Sequence, residues 1–231
     1  MLTIRHIQKS YHHSLILHDI FFEIPRNTIA GIIGPNGAGK STILKIVTGF
    51  ENPDRGDVYF QDRKISSFDE KMSLFSYMPE HLMLYPDYYV HDFINFIQNT
   101  TAYKNPELID RLNLASVKHK KIQHLSKGYK QRLKLFFALS NHKPIVVLDE
   151  PFDGFDPIQV SDILELIISE NKKGRTFLVS IHQLYDAEKL CQYYILLNGG
   201  NVVAQGTIDT LRQKFGQINT TLEHIFIRAL R

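Results

Sequence analysis

With 231 residues, 43% of them hydrophobic and 22% charged, the chain can bury a full core without covalent staples, and its single cysteine, Cys191, excludes an internal disulfide and fits a reducing compartment. A net charge of +3, with no basic stripe interleaved with aromatics, excludes a nucleic-acid partner from the expectations; the run Lys118-His119-Lys120-Lys121 reads as a solvated face. No apolar run approaches the roughly 18 residues that cross a bilayer, and residues 1–7 alternate like a strand instead of forming a signal peptide, so a cytoplasmic chain is expected.

In chain order, residues 2–7 and 15–24 read as strands joined by a turn at 11–14, and residues 28–33 as a short buried strand. Gly34, Pro35, Asn36, Gly37, Ala38, Gly39, Lys40, Ser41 and Thr42 follow directly, and they match the pattern G-x-x-x-x-G-K-[ST] at every required position. The glycines let the backbone wrap tightly, and its amides then form a concave anion site at the start of the next helix. Lys40 is placed to reach β- and γ-phosphates, and Ser41 to hold Mg²⁺. Binding of a nucleoside triphosphate is therefore predicted. Beyond the loop, Ile43, Ile46, Val47 and Phe50 recur at helical spacing and predict a core-facing stripe.

Residues 52–56 carry a strong turn signal, and 57–61 and 74–78 read as strands. From 80 to 142 the pattern is mainly helical, including 90–98 and 107–114, as for a helical insertion in an α/β core. The apolar run 145–148 predicts a central parallel strand covered on both faces. Asp149 and Glu150 stand at its carboxyl end, where ligands bind in such sheets. Side chains alternate along a strand, so the two carboxylates are expected to take separate roles. Asp149 would bind Mg²⁺, and Glu150 would polarise the water that attacks the γ-phosphate. A helix at 158–170, strands at 176–180 and 193–197, a hairpin turn at 198–201 into 202–205, and helices at 208–215 and 222–230 complete the chain.

Four further motifs follow the phosphate loop in order: Leu125-Ser126-Lys127-Gly128-Tyr129-Lys130-Gln131-Arg132, Asp149-Glu150-Pro151, Phe152-Asp153-Gly154-Phe155-Asp156-Pro157 and Ser180-Ile181-His182. Their order and spacing resemble those of the ATPase subunits of ATP-binding cassette (ABC) transporters, over nearly the whole chain. The resemblance implies an α/β fold: a P-loop NTPase core of ABC type at 1–79 and 144–231, with an N-terminal antiparallel β subdomain and an α-helical subdomain inserted at 80–143. It implies an ATPase that uses ATP and Mg²⁺, pairs head to tail as a homodimer or heterodimer, and drives a separate transmembrane permease from the inner face of the membrane. By the same resemblance Tyr11 lies against adenine, and Ser126 and the backbone at Gly128 contact the γ-phosphate held by the opposite chain. Asp156 touches the partner subunit, and His182 hydrogen-bonds the γ-phosphate and arranges the water. Ser126 ahead of Leu133, Phe136, Phe137 and Ser140 also reads as a plain helix N-cap, and the two roles are compatible.

The chain departs from the family pattern in places. The signature commonly reads Leu-Ser-Gly-Gly-Gln; Lys127 and Tyr129 replace the first glycine and the glutamine here, a variant that resembles exporters of drug, peptide or haem-type cargo. Glu80 falls where the family has a glutamine that reaches Mg²⁺. A metal-linked role is the expectation, and the start of the helical segment the alternative. Tyr85, Tyr88 and Tyr89 form either a docking patch for the permease or ordinary packing. Leu222-Glu223-His224-Ile225-Phe226 resembles the closing helix of exporter subunits and reads equally as an amphipathic cover. The rival function is a soluble ABC ATPase acting on ribosomes, DNA or iron–sulfur assembly machinery. A single phosphate loop, the lack of a heptad run or cysteine cluster, and the signature variant weigh against it.

Overall fold

Strands that are buried at every position require cover on both faces, and Ile29–Ile33, Ile145–Asp149 and Thr176–Ile181 are such strands. The computed structural model describes residues 1–215 and 220–230; residue 231, the far end of the predicted core, lies outside the described residues. The chain begins with β1 (Leu2–Tyr11), β2 (Ser14–Ile24) and β3 (Ile29–Ile33), followed by α1 (Lys40–Thr48), β4 (Arg55–Phe60) and β5 (Arg63–Lys64). Next come α2 (Phe68–Leu74), β6 (Phe75–Met78), α3 (Val90–Thr101), α4 (Pro106–Arg111) and α5 (Lys127–Leu139). The remainder is β7 (Ile145–Asp149), α6 (Pro157–Lys172), β8 (Thr176–Ile181), α7 (Leu184–Leu190), β9 (Tyr193–Asn198), β10 (Asn201–Gly206), α8 (Ile208–Phe215) and α9 (Leu222–Ala229).

These strands form a four-stranded sheet of order β2-β1-β4-β5 and a six-stranded sheet of order β10-β9-β3-β8-β7-β6. The first sheet is antiparallel; in the second, only β10 runs against its neighbour. Alternation along β7 explains the layering. Val146 and Leu148 join a core with the helices α3 to α7, while Ile145 and Val147 join a core with α1 and the antiparallel sheet. The phosphate loop thus springs from the middle of the sheet, and β7 and β8 bring Asp149 and His182 to the same edge.

Several local expectations are corrected. Phe50 does not face the core: α1 ends at Thr48, Gly49 caps it with φ 89°, and Phe50 is 58% exposed. Its ring instead meets Phe68 edge-on at 6.0 Å. The turn expected at 52–56 gives way to strand from Arg55, where β4 pairs with β1. The helix α2 was not expected, although Ser67 and Glu70 form a capping box around its start. The seven-residue α7 was likewise unforeseen, being too short to show a clear period. The alternative in which Glu80 opens a helix fails, because the helix begins at Val90 with Tyr89 as N-cap.

At the sheet end away from the loop, Arg175 is buried with Glu170. Their charged atoms lie 3.3 Å apart, and the guanidinium also donates to the carbonyls of Leu139 and Lys143 and to Asn141 Oδ1. Lys173 Nζ also reaches Glu170, at 2.7 Å, so the carboxylate keeps one cation when Arg175 is removed, while the buried acceptors of the guanidinium lose their donor. Arg175→Met is expected to lower stability by about 1–3 kcal/mol in urea unfolding; a loss indistinguishable from zero would contradict the structural role of these bonds.

Candidate nucleotide-binding site

The loop after β3 is built from close backbone approaches. A Cβ on Gly34 would stand 2.2 Å from the Leu197 carbonyl oxygen, and one on Gly39, at φ 102°, would stand 2.5 Å from Leu17 Cδ2. Only glycine fits at either place. The wrap aims the amides of the first turn of α1 outward, which makes the loop an anion cradle. Lys40, 7% exposed, donates from Nζ to the Gly34 carbonyl at 2.9 Å and lies 3.7 Å from Glu150 Oε1.

Around this loop runs an open cavity of about 640 Å³. Asn36, Gly37, Ala38, Gly39, Lys40, Ser41 and Thr42 line it, together with Tyr11 and Ile16 and with Glu80, Glu150, Asp153 and His182. The Tyr11 ring is 37% exposed, and burial of its hydroxyl raises its pKa. Gly34 and Pro35 stand behind the wall, and their carbonyls face Lys40. Ile16 and Asp153 were not among the expected residues. Asp153 belongs to the motif Phe152-Asp153-Gly154-Phe155-Asp156-Pro157, whereas β2 gives no local sign that Ile16 lines a site.

Asp149 and Glu150 do point differently, but not through strand alternation, because β7 ends at Asp149. Asp149 is 1% exposed, and its Oδ1 accepts from Ser180 Oγ at 2.6 Å and from Ser41 Oγ at 3.2 Å. Glu150 has left the strand with φ 49°, a conformation uncommon for a residue with a Cβ. Its Oε2 accepts from His182 Nδ1 at 2.7 Å. Next to this acidic pair, burial and the charges of Asp149 and Glu80 push the Tyr77 hydroxyl up.

Ser126, Gly128 and Asp156 do not line this cavity. Ser126 caps α5, accepting from the Tyr129 amide, and Asp156 caps α6, accepting from the amides of Ile158 and Gln159. A Cβ on Gly128 would meet the Gly154 carbonyl at 3.3 Å, so that glycine lets α5 approach the segment after Glu150. A second cavity of about 410 Å³ continues from Glu150, Asp153 and His182 to Asp186, whose carboxyl pKa is raised by burial.

A family model described as ABC transporter matches residues 17–153, more than half of the chain, and that span includes the phosphate loop and Asp149-Glu150. The chain belongs to the ABC transporter family. It is an ATP-binding, ATP-hydrolysing cassette of the kind that powers transport. It is 31% identical over 212 residues to the lantibiotic transport ATP-binding protein SrtF of Streptococcus pyogenes, covering 90% of this chain and 92% of that one. It is 28% identical to the ABC-type transporter ATP-binding protein EcsA of Bacillus subtilis over 239 residues, covering 100% and 97%. A solved ATP-binding subunit of an ABC transporter superposes with a TM-score of 0.90 at 28% identity, covering 100% of each chain. Like that subunit, the cassette combines an antiparallel sheet with a mostly parallel one. Among its described residues no helix is long and apolar enough to cross a membrane.

Proposed function

We propose that this cassette powers an exporter, and that ATP lies with its phosphates on the loop 34–42 and its base toward Tyr11. The observation that supports this most is the single cavity joining Tyr11 and the phosphate loop to Glu150 and His182. Ser41 Oγ and Glu80 line the cavity, and Asp149 stands buried behind Ser41 Oγ at 3.2 Å, oxygen groups that fit Mg²⁺ directly or through water. When bound, the ion supplies charge neutralisation on the β- and γ-phosphates. Lys40 then holds those phosphates, and Glu150 accepts hydrogen bonding from the attacking water. His182, donating to Glu150, keeps that carboxylate aimed, and it lines the same cavity as the phosphate loop.

Ser126, Gly128 and Asp156 lie outside the chain's own cavity, which supports a role for them on nucleotide held by a second cassette, either another copy or a relative. ATP contacts both chains only when they are closed together, so it favours the closed pair. In this division residues 1–79 and 144–231 bind nucleotide with Glu80 at their border, and the arm at 80–143 carries Ser126 and faces a permease at the inner side of the membrane. Tyr85 is 60% exposed and stacks on Tyr88 at 5.2 Å, with Met83 87% exposed beside them. An apolar surface of this kind suits a docking partner better than internal packing. The buried Leu222 and Ile225 give α9 the covering role. Export is supported by the signature variant and by likeness to a lantibiotic transport subunit.

Purification from solubilised membranes is expected to retain a chain with several apolar spans of about 20 residues. ATP added to inside-out vesicles should drive cargo into the lumen. Recovery with ribosomes or a soluble scaffold would overturn the membrane reading, and ATP-driven movement in the other sense would overturn export.

A further inference from the structure

One face of α5 is polar and runs along the catalytic segment. Lys127, Gln131 and Lys134 are spaced so that they share that face. Lys127 Nζ donates to Asp153 Oδ1 at 2.6 Å, Gln131 Nε2 to the Glu150 carbonyl at 2.9 Å, and Lys134 Nζ to the Glu80 carbonyl at 2.7 Å. Each bond therefore ends on a residue that lines the nucleotide cavity.

The bond from Gln131 falls where the backbone most needs support. Glu150 sits at φ 49°, and a side chain with a Cβ keeps such a conformation only when its surroundings impose it. Its amide donates to Ser180 Oγ at 2.9 Å, which fixes one side from β8. Gln131, 5% exposed, fixes the other side from α5. The Asp153 amide also reaches the Glu150 carbonyl, at 3.3 Å, closing a turn. Lys127 grips that turn from outside. Its stem fills the space that a Cβ on Gly154, at φ 84°, would enter, 2.7 Å from Lys127 Cγ.

We infer that Gln131 and Lys127 are positioning residues that hold Glu150 in its left-handed conformation and so aim its carboxylate at the attacking water. The inference rests on the proposed role of Glu150. It also gives a physical reason for the lysine at 127, where the resembling family commonly has glycine. A glycine there would leave Asp153 without this ion pair and the turn without its outer clamp. The same helix is capped by Ser126, so its displacement would be carried to Glu150 directly through Gln131 and, by way of Asp153, through Lys127.

Steady-state ATPase assays on the full chain test this. Gln131→Leu is expected to lower kcat by about 10-fold, the scale set by losing one aligned hydrogen bond. KM and the affinity for a fluorescent ATP analogue should stay within about 2-fold, because the group acts on chemistry and not on binding. Lys127 is an exposed side chain whose replacement leaves the core intact. Lys127→Met should lower kcat by about 3-fold, the scale of an exposed ion pair, and Lys127→Arg should restore it. In a Glu150→Gln background neither Gln131→Leu nor Lys127→Met should slow the residual rate further, since residues that act through one group are not additive. Wild-type kcat in both single variants, or an equal loss in the Glu150→Gln background, would overturn the positioning role. Wild-type turnover in Glu150→Gln alone would instead remove the water-polarising role on which it rests. Should Gln131→Leu fail to fold, the Lys127 series decides by the same criteria.

Discussion

Lys40→Ala should weaken ATP binding by about 100-fold, because a buried charge-assisted hydrogen bond contributes about 2–3 kcal/mol. Titration with a fluorescent ATP analogue reads this directly. The side chain is 7% exposed and held beside the loop by the Gly34 carbonyl, so its ammonium is already near the anion it would meet. Little side-chain freedom remains to be lost on binding. The lysine also stands 3.7 Å from Glu150, and in its absence that carboxylate would lose the ammonium that offsets its charge next to the triphosphate. Both effects reduce affinity. Arginine at this position should not restore it, since a planar guanidinium replaces a compact ammonium in a cradle sized for the latter. Wild-type affinity in Lys40→Ala would mean that the phosphates lie elsewhere.

The elements that were legible in the sequence have a common physical basis. The phosphate loop could be read because its geometry admits few residue types: the Gly34 position faces a carbonyl oxygen at 2.2 Å from any added Cβ. The strand at 145–149 could be read because a parallel strand covered on both sides must be apolar throughout. Phe50 was misread because helical spacing continued past Gly49, whose positive φ ends the helix and turns the chain outward. Periodicity records which positions match a helix and does not register where it stops. The capping box at Ser67 and Glu70 was a readable signal for α2, masked by the strand expected close behind it.

The site divides in the same way. Lys40, Ser41, Asp149 and Glu150 sit in motifs whose chemistry is local, and the structure brings them to one place. Ile16 and Gln131 belong to the surroundings of the site through contacts between distant segments. Gln131 reaches a backbone carbonyl 19 positions away, and no residue pattern marks a carbonyl as a partner. Asp153 is intermediate. Its motif was visible, but its pairing with Lys127 depends on how closely α5 approaches, which Gly128 and Gly154 decide.

Glu150→Gln should lower kcat by about 10²–10⁴-fold, the range for a positioned acid–base group, while nucleotide binding persists. The amide preserves the size of the side chain and can still accept from His182 Nδ1, now 2.7 Å from Oε2. It has no basicity to draw a proton from water. One negative charge next to the triphosphate also disappears, so affinity should hold or rise. Phosphate release and analogue titration, measured on the same preparation, separate the two effects. Unchanged turnover would transfer the water-polarising role to another group lining the cavity. With turnover blocked, saturating Mg²⁺ and ATP should hold two cassettes together long enough to run as a dimer in size exclusion. Ser126 and Asp156 lie off the chain's own cavity, so the nucleotide contact proposed for them requires that second molecule. A strictly monomeric Glu150→Gln protein, alone and beside its membrane partner, would break the link between nucleotide and pairing.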